Sequence, residues 1–365
     1  MRRKPQPSQA ARTPPCLQSA ALRAAAILLA LSAPLCPAEN SEQAPELTVA
    51  QWNVENLFDF VDDPGNEGDD PFTPDGWQHW SEQRYRRKLA NLARVIHELD
   101  ADILGLQEVE NRRVLDDLND LLREQYGGGY EHSVHRDGPD HRGVDVALLS
   151  RIPPTATRWL TPMDGQREVL IADFETNGHR LTVFVNHWKS HWGSKKKATR
   201  MRGVQARAVR AEVDSLLDRD PAAAILLTGD FNDDVDRPAL VEVLRSVSDR
   251  HRIRSDPSGR LLYNLSGDLP AEERGTIYYR GDQVWNSFDS MSCTRGMIDP
   301  AGANASGWRV KTDTYRVFAP PELRDDAGRP RPFRRLTNET TGKREYSYGY
   351  SDHFPVRVVL TLALP

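Results

Sequence analysis

Short apolar runs in this chain repeatedly adjoin clusters of carboxylate, amide and imidazole side chains. No other feature constrains the fold as much. Ile225-Leu226-Leu227 leads into Thr228-Gly229-Asp230-Phe231-Asn232-Asp233, and Ser351-Asp352-His353 precedes Val356-Arg357-Val358-Val359-Leu360. Ile103-Leu104-Gly105-Leu106 runs into Gln107-Glu108, and Phe184-Val185 into Asn186-His187. Runs this short suit strands buried on both faces. Polar groups at the mouths of such strands are where layered α/β enzymes place their chemistry.

The remaining pattern is compatible with that layering. Leu47 to Val54 alternates apolar and polar residues and predicts an early strand. Tyr85, Leu89, Leu92, Ile96 and Leu99 recur at helical spacing behind Ser81, a candidate N-cap. Helices are also expected over 113–124, 199–217 and 239–244. Further strands are expected over 144–149, 169–174, 181–185, 222–227, 276–279, 288–293 and 355–362. Phe60 to Trp80 is rich in Pro, Gly and Asp and reads as a loop. Its acidic residues Asp62, Asp63, Glu67, Asp69 and Asp70 lack EF-hand spacing, so a solvated loop is expected. The expected class is α/β (α+β). Two β-sheets pack face to face with helices on the outer faces, a four-layer sandwich.

Residues 1–38 read as a signal peptide. Arg2, Arg3, Lys4, Arg12 and Arg23 precede the apolar run 24–31, and Cys36-Pro37-Ala38 offers small residues for cleavage. The run falls short of the roughly 20 residues needed to span a bilayer. No transmembrane segment is expected in the mature chain, and the expected location is secreted or periplasmic in a bacterium. Removing five positive charges and no acidic ones from a net of −5 leaves −10 for residues 39–365. Such a chain is not a general polyanion binder, so any nucleic-acid contact must come from a local basic strip. Cys16 and Cys36 leave with the leader, so Cys293 has no partner for an internal disulfide. No linker or repeat divides 39–365, which reads as one domain with long loops.

Gln51-Trp52-Asn53-Val54-Glu55-Asn56 and Trp285-Asn286-Ser287-Phe288-Asp289 extend the series of clusters. In chain order they supply Asn, Glu, His, Asp-x-Asn, Asp and Asp-His. This resembles the endonuclease/exonuclease/phosphatase superfamily, which has the deoxyribonuclease I-like fold, over roughly Leu47 to Leu362. The resemblance implies metal-assisted attack of water on a phosphate ester, with Mg2+ as cofactor and Mn2+ or Ca2+ as substitutes. Glu108, Asn53 and Asp352 are the candidate metal residues, with Glu110 competing for the role of Glu108. Glu55 and Asn56 follow Asn53 closely in undecided roles.

Asp230 is the candidate to position the attacking water or take its proton. Asn232 is the candidate donor to a non-bridging oxygen, and His353 and His187 are candidates to stabilise developing charge. Asp289 or Asp352 would supply the carboxylate beside His353. Arg142 is a candidate phosphate clamp with Asp145 holding it in place, and Lys189 a candidate substrate contact. Lys189, Ser190, His191, Trp192 and Lys195 to Lys197 read as a basic, aromatic-interleaved loop.

The expected activity is that of a secreted metal-dependent phosphodiester hydrolase, nuclease-like, with nucleic acid as substrate and no stable protein partner. A phospholipid or inositol-phosphate phosphoesterase is the second reading, ranked lower because the sequence displays no apolar membrane-docking hairpin. A non-catalytic binding protein on the same fold is the third.

Overall fold

A computed structural model describes residues 44–299, 307–337 and 341–363. The expected leader, 1–38, lies outside the described residues. Ala44–Pro365 packs as one compact unit. Its strands are β1 (Glu46–Leu57), β2 (Ile103–Val109), β3 (His132–His135), β4 (Asp145–Ser150), β5 (Ala156–Leu160) and β6 (Val169–Thr176). These are followed by β7 (His179–His187), β8 (Ala224–Asp230), β9 (Ser246–Val247), β10 (Leu262–Asn264), β11 (Ile277–Tyr279) and β12 (Val284–Asn286). The last are β13 (Asp289–Thr294), β14 (Gly307–Val310), β15 (Arg316–Val317), β16 (Arg335–Thr337), β17 (Arg344–Tyr346) and β18 (Val356–Ala363). The helices are α1 (Glu82–Leu99), α2 (Arg112–Tyr126), α3 (Lys195–Arg219) and the short α4 (Arg250–Ser255).

One seven-stranded sheet has the order β14-β18-β1-β2-β4-β3, with β15 also pairing with β18. The other runs β5-β6-β7-β8-β13-β10-β9. Val49, Ile103, Val146 and Leu148 of the first sheet pack against Val183, Val185, Leu226 and Met291 of the second. The outer face of the first sheet, through Trp52, Leu104 and Leu106, packs on Leu92, Ile96, Leu115 and Leu118 of α1 and α2. The outer face of the second, through Phe184, Ile225 and Leu227, packs on Val209, Val213 and Leu217 of α3. This is the expected four-layer sandwich. Burying each large aliphatic side chain of these three cores contributes about 1.5–3 kcal/mol.

Local signals account for the helix ends. The Ser81 side chain caps α1 through the Arg84 amide, and Asn111 caps α2 through the Val114 amide. Residues 239–244, expected to be helical, form a π-helix. One expectation needs revision. Lys195, Lys196 and Lys197 are not loop residues but the first turn of α3, capped by Ser194. Cations at a helix N-terminus oppose the helix dipole, which is why sequence reasoning starts that helix late, at Thr199.

Candidate active site

Strand alternation builds the site. Side chains two residues apart point to the same face. The inter-sheet rows therefore continue from apolar into polar: Val49-Gln51-Asn53 on β1, Val183-Val185-His187 on β7, Leu226-Thr228-Asp230 on β8, and Met291-Asp289 on β13. The registers set Asp230 opposite Asp289 and His187 opposite Asp230. Gly229 makes the close approach feasible, because a Cβ there would lie 2.1 Å from the Asn186 carbonyl oxygen. The polar cluster is thus the end of the hydrophobic core, where the two sheets meet solvent.

His353 Nδ1 lies 2.7 Å from Asp289 Oδ2, and Gln51 Nε2 donates to Asp289 Oδ1 at 3.0 Å. Asp289, rather than Asp352, therefore orients the ring. His353 Nε2 faces Asp230 Oδ2 at 4.0 Å and Asp352 Oδ1 at 3.9 Å. Asn53 Nδ2 and Asn232 Nδ2 both donate to Asp230 Oδ2, at 3.0 and 3.1 Å, and the Asn232 amide donates to Oδ1 at 2.8 Å. Burial would lower the His353 pKa, but the Asp289 carboxylate, then Asp230 and Asp352, raise it well above its ordinary value. Asp230 is raised, first by burial and then by Asp289, against the pull of His353. Asp230 is 1% exposed and His353 6%.

Glu108 reaches the site through an irregularity. The β2–β4 register shifts between Gln107 and Val109, and Glu108 takes a left-handed backbone with φ +64°. Glu55, Asn56 and Asn232 have φ +54°, +53° and +50°. Non-glycine residues in this region are uncommon and carry strain that tends to gather at functional positions. Glu108 Oε2 accepts from the Asn56 amide at 2.8 Å. Oε1 faces Arg142 at 3.8 Å and His187 Nε2 at 4.0 Å. His187 Nε2 is also 3.7 Å from Asp230 Oδ2, while its Nδ1 is buried without a hydrogen-bond partner. Burial, then Arg167, Arg142, His353 and Lys189, hold His187 well below its ordinary pKa.

Arg142 does not engage Asp145. Its guanidinium donates to Asn56 Oδ1 at 2.6 Å, whereas Asp145 accepts from the Gly138 amide at 2.9 Å. Arg142 is therefore held by Asn56 and Glu108, not by Asp145 as expected. Arg167 is almost fully buried nearby, and its Nε has no hydrogen-bond partner. Lys189 is pushed down by burial and by Arg167. His191 lies 2.8 Å from the Asn232 carbonyl oxygen and stacks on Phe288, and Trp192 is 88% exposed. Together these residues make a cationic wall beside His187.

On the opposite side, Arg334 Nη1 lies 2.6 Å from Asp352 Oδ2 and 3.0 Å from Glu55 Oε1. The buried Lys88 donates to the Tyr350 carbonyl at 2.7 Å, and burial pulls its pKa down to about 8. Burial would raise Asp352, but Arg334 and His353 outweigh it and hold it low. The Ser351 hydroxyl donates to the Asn53 carbonyl at 2.6 Å, fixing the His353 segment against β1.

A family model described as the endonuclease/exonuclease/phosphatase family matches residues 48–362. The chain belongs to that family. Its members are hydrolases of phosphoesters. TDP2 from Caenorhabditis elegans superposes with a TM-score of 0.52 at 13% identity, covering 87% of this chain and 74% of that one. A mannosyl-6-phosphatase from Bacteroides thetaiotaomicron gives 0.51 at 20% identity, covering 86% and 99%. A further endonuclease/exonuclease/phosphatase family protein from the same organism gives 0.51 at 20%, covering 87% and 95%. These likenesses establish the fold. No curated protein matches the sequence.

Endonuclease/exonuclease/phosphatase enzymes use divalent metals, and the residues here fit one. Glu108 and Asp352 each commit one carboxylate oxygen to a hydrogen bond. The other oxygen of each meets only groups 3.8 Å or more away. Such uncommitted oxygens are what a hard divalent ion takes. Asn53 Oδ1 accepts from the Glu55 amide at 3.0 Å, which leaves it a second lone pair. Gln51, Lys88, Arg167 and Arg334 went unrecognised in the sequence. Gln51 was findable, since it precedes Asn53 by two residues on the same face. Arg334 lies in a long segment without periodicity or motif, and no local signal marks it.

Proposed function

We propose that the protein is an exported, Mg2+-dependent phosphodiesterase acting on nucleic acid. The observation that carries this is the convergence of Asp289-His353, Asp230 with its two amide donors, His187 and Glu108 where the two sheets meet. Mg2+ held by Glu108 and Asp352, with Asn53 beside them, would neutralise charge on the scissile phosphate. Asp230, held by Asn53 and Asn232, orients water and receives its proton. His353, kept protonated by Asp289, and His187 donate to oxygens that gain charge in the transition state. The second Asn232 donor contact, to the Trp188 carbonyl at 3.1 Å, keeps that amide in place. Arg142, Lys189 and Arg167 provide a cationic wall for a flanking phosphate, and exposed Trp192 a face on which a base can stack.

A specific observation also favours the phospholipid reading. The β11–β12 hairpin exposes Tyr279, Val284 and Trp285, and Ile277 bridges to His353. Sequence reasoning did not single out these exposed apolar residues. Export rests on residues 1–38 alone, and a fractionation experiment on the native organism tests it. Purified protein should be assayed with Mg2+ on plasmid DNA, RNA, sphingomyelin, mannose 6-phosphate and bis-nitrophenyl phosphate. Preferred turnover of DNA or RNA supports the first reading. Preferred turnover of sphingomyelin replaces it with the second, and preferred turnover of the monoester overturns both.

A further inference from the structure

Beyond the catalytic centre, a cavity of about 540 Å3 opens between the 63–67 loop and the 137–145 loop. Asp63, Glu67, Glu110, Asp137, Asp140 and Asp145 line it, and no lysine or arginine does. An acidic wall alone would be unremarkable on so acidic a chain. His135 does not line the cavity but lies beside two residues that do, Asp137 and Asp145. Its side chain is 1% exposed, yet neither ring nitrogen makes a hydrogen bond of normal geometry, although the Val109 backbone lies near. Nδ1 lies 3.7 Å from Asp137 Oδ1. One donor atom from each of His135, Asp137 and Asp145 lies within 4.8 Å of the others. Leaving a buried imidazole without a well-formed hydrogen bond is unfavourable, and an ion among these donors would relieve it.

The backbone also shapes the place. Gly138 donates its amide to Asp145 Oδ2, and a Cβ at Gly138 would lie 2.4 Å from Asp145 Oδ1. Any larger residue there would occupy the space beside that oxygen. Burial, then the neighbouring carboxylates Asp140 and Asp137, push Asp145 up to about 7. Burial lowers His135, opposed by Asp137 and the Val109 backbone. Asp137, Asp145 and the His135 imidazole thus lie close together, and Arg167, 3.9 Å from Asp140, offsets only part of the carboxylate charge around Asp145.

We infer that His135, Asp137 and Asp145 form a divalent transition-metal site, separate from the Glu108 centre, with Zn2+ as the ion it suits best. Imidazole nitrogen and carboxylate oxygen are both zinc ligands, bound at about 2.0–2.2 Å. Ligands at that distance sit roughly 3.4 Å apart in a tetrahedron. Asp137, 82% exposed, is free to close the remaining gap. The nitrogen donor argues against Ca2+, which takes oxygen ligands. Because Val109 pairs with Asp145 directly after Glu108, the ion would brace the strand irregularity that presents Glu108.

Isothermal titration of the untagged protein with Zn2+ tests this in the Glu108→Gln background, which separates it from the catalytic metal. One equivalent should bind, and Asp137→Asn should weaken it at least tenfold. Asp137 is exposed, so that variant does not endanger folding. His135→Gln should do the same, and in the Glu108→Gln protein the His135 ring nitrogens should shift by NMR on adding Zn2+. Absence of Zn2+ binding in the Glu108→Gln protein overturns the inference. So does binding insensitive to Asp137→Asn, or a cavity that takes Ca2+ and rejects Zn2+.

Discussion

The two halves of the catalytic centre are built differently. On the His353 side, contacts are short: 2.7 Å to Asp289, and 2.8–3.1 Å from the amides around Asp230. On the Glu108 side, Arg142 and His187 stand 3.8 and 4.0 Å from Glu108 Oε1, with His187 Nδ1 and Arg167 Nε lacking hydrogen-bond partners. Polar groups this buried are normally satisfied. The first half is complete within the protein and suited to holding protons. The second is an arrangement of groups suited to receiving ions, a metal for Glu108 and phosphate for the cations.

Breaking the short-contact half should have the largest effect. Asp230→Asn and His353→Ala are each expected to lower kcat by about 10²–10⁴. His353→Ala should also lower the melting temperature, because it leaves buried Asp289 uncompensated. A variant retaining more than about a tenth of wild-type turnover would remove that residue from the chemical step.

Glu108→Gln tests the other half. We expect Mg2+ affinity, measured by calorimetry, to fall at least tenfold with the melting temperature nearly unchanged, since Glu108 satisfies little else. Unchanged affinity would shift the role to Asp352, whose Oδ1 stands 3.9 Å from His353 Nε2. A large fall in stability would contradict the contrast between the halves.

The contrast sharpens with pH. Asp289 holds the His353 proton, so His353 stays charged at neutral pH and loses the proton only as pH rises through its raised pKa. In Asp289→Asn that loss should come at lower pH, and the alkaline limb of the kcat profile should move down with it. For stability the sign is parallel. The proton-linked contribution is complete below the unfolded value near 6.5 and fades as pH climbs through the folded one. An alkaline limb that does not move would mean another group sets it.

The smallest effect is expected at the rim. Changing Lys195, Lys196 and Lys197 together to Ser should flatten the salt dependence of nucleic-acid turnover. Each lost phosphate contact lowers the log–log slope by about 0.7–0.9. Turnover of bis-nitrophenyl phosphate should hardly change. Equal slopes in variant and wild type would place the nucleic-acid path away from α3.

The short-contact half was the more legible in the sequence. Asp230, Asn232, Asp289 and His353 sit at strand ends whose apolar runs announce them, and alternation carries Asn53 and His187 to the same face. The identity of the carboxylate beside His353 was not legible, because choosing Asp289 over Asp352 depends on how β13 and the 351–355 segment lie across the sheets. Pairing across long sequence separations hid the rest. Arg142 turns to Asn56, 86 residues away, instead of nearby Asp145. Arg334 reaches Glu55 and Asp352 from a segment without pattern. The exposed β11–β12 hairpin was obscured because its aromatics read equally well as core. The lysine run was misassigned to a loop because it contradicts the dipole preference of the helix it begins.

The bonds that join the sheets at the catalytic centre connect distant points of the chain. Gln51 and Asp289 are 238 residues apart, Asn53 and Asp230 are 177, and Asp289 and His353 are 64. Closing such long loops is slow compared with forming helices or adjacent strand pairs. These contacts therefore belong to the last stage of folding. A refolding chain should regain its circular dichroism before its turnover, with the interval reporting the time the two sheets take to find their register.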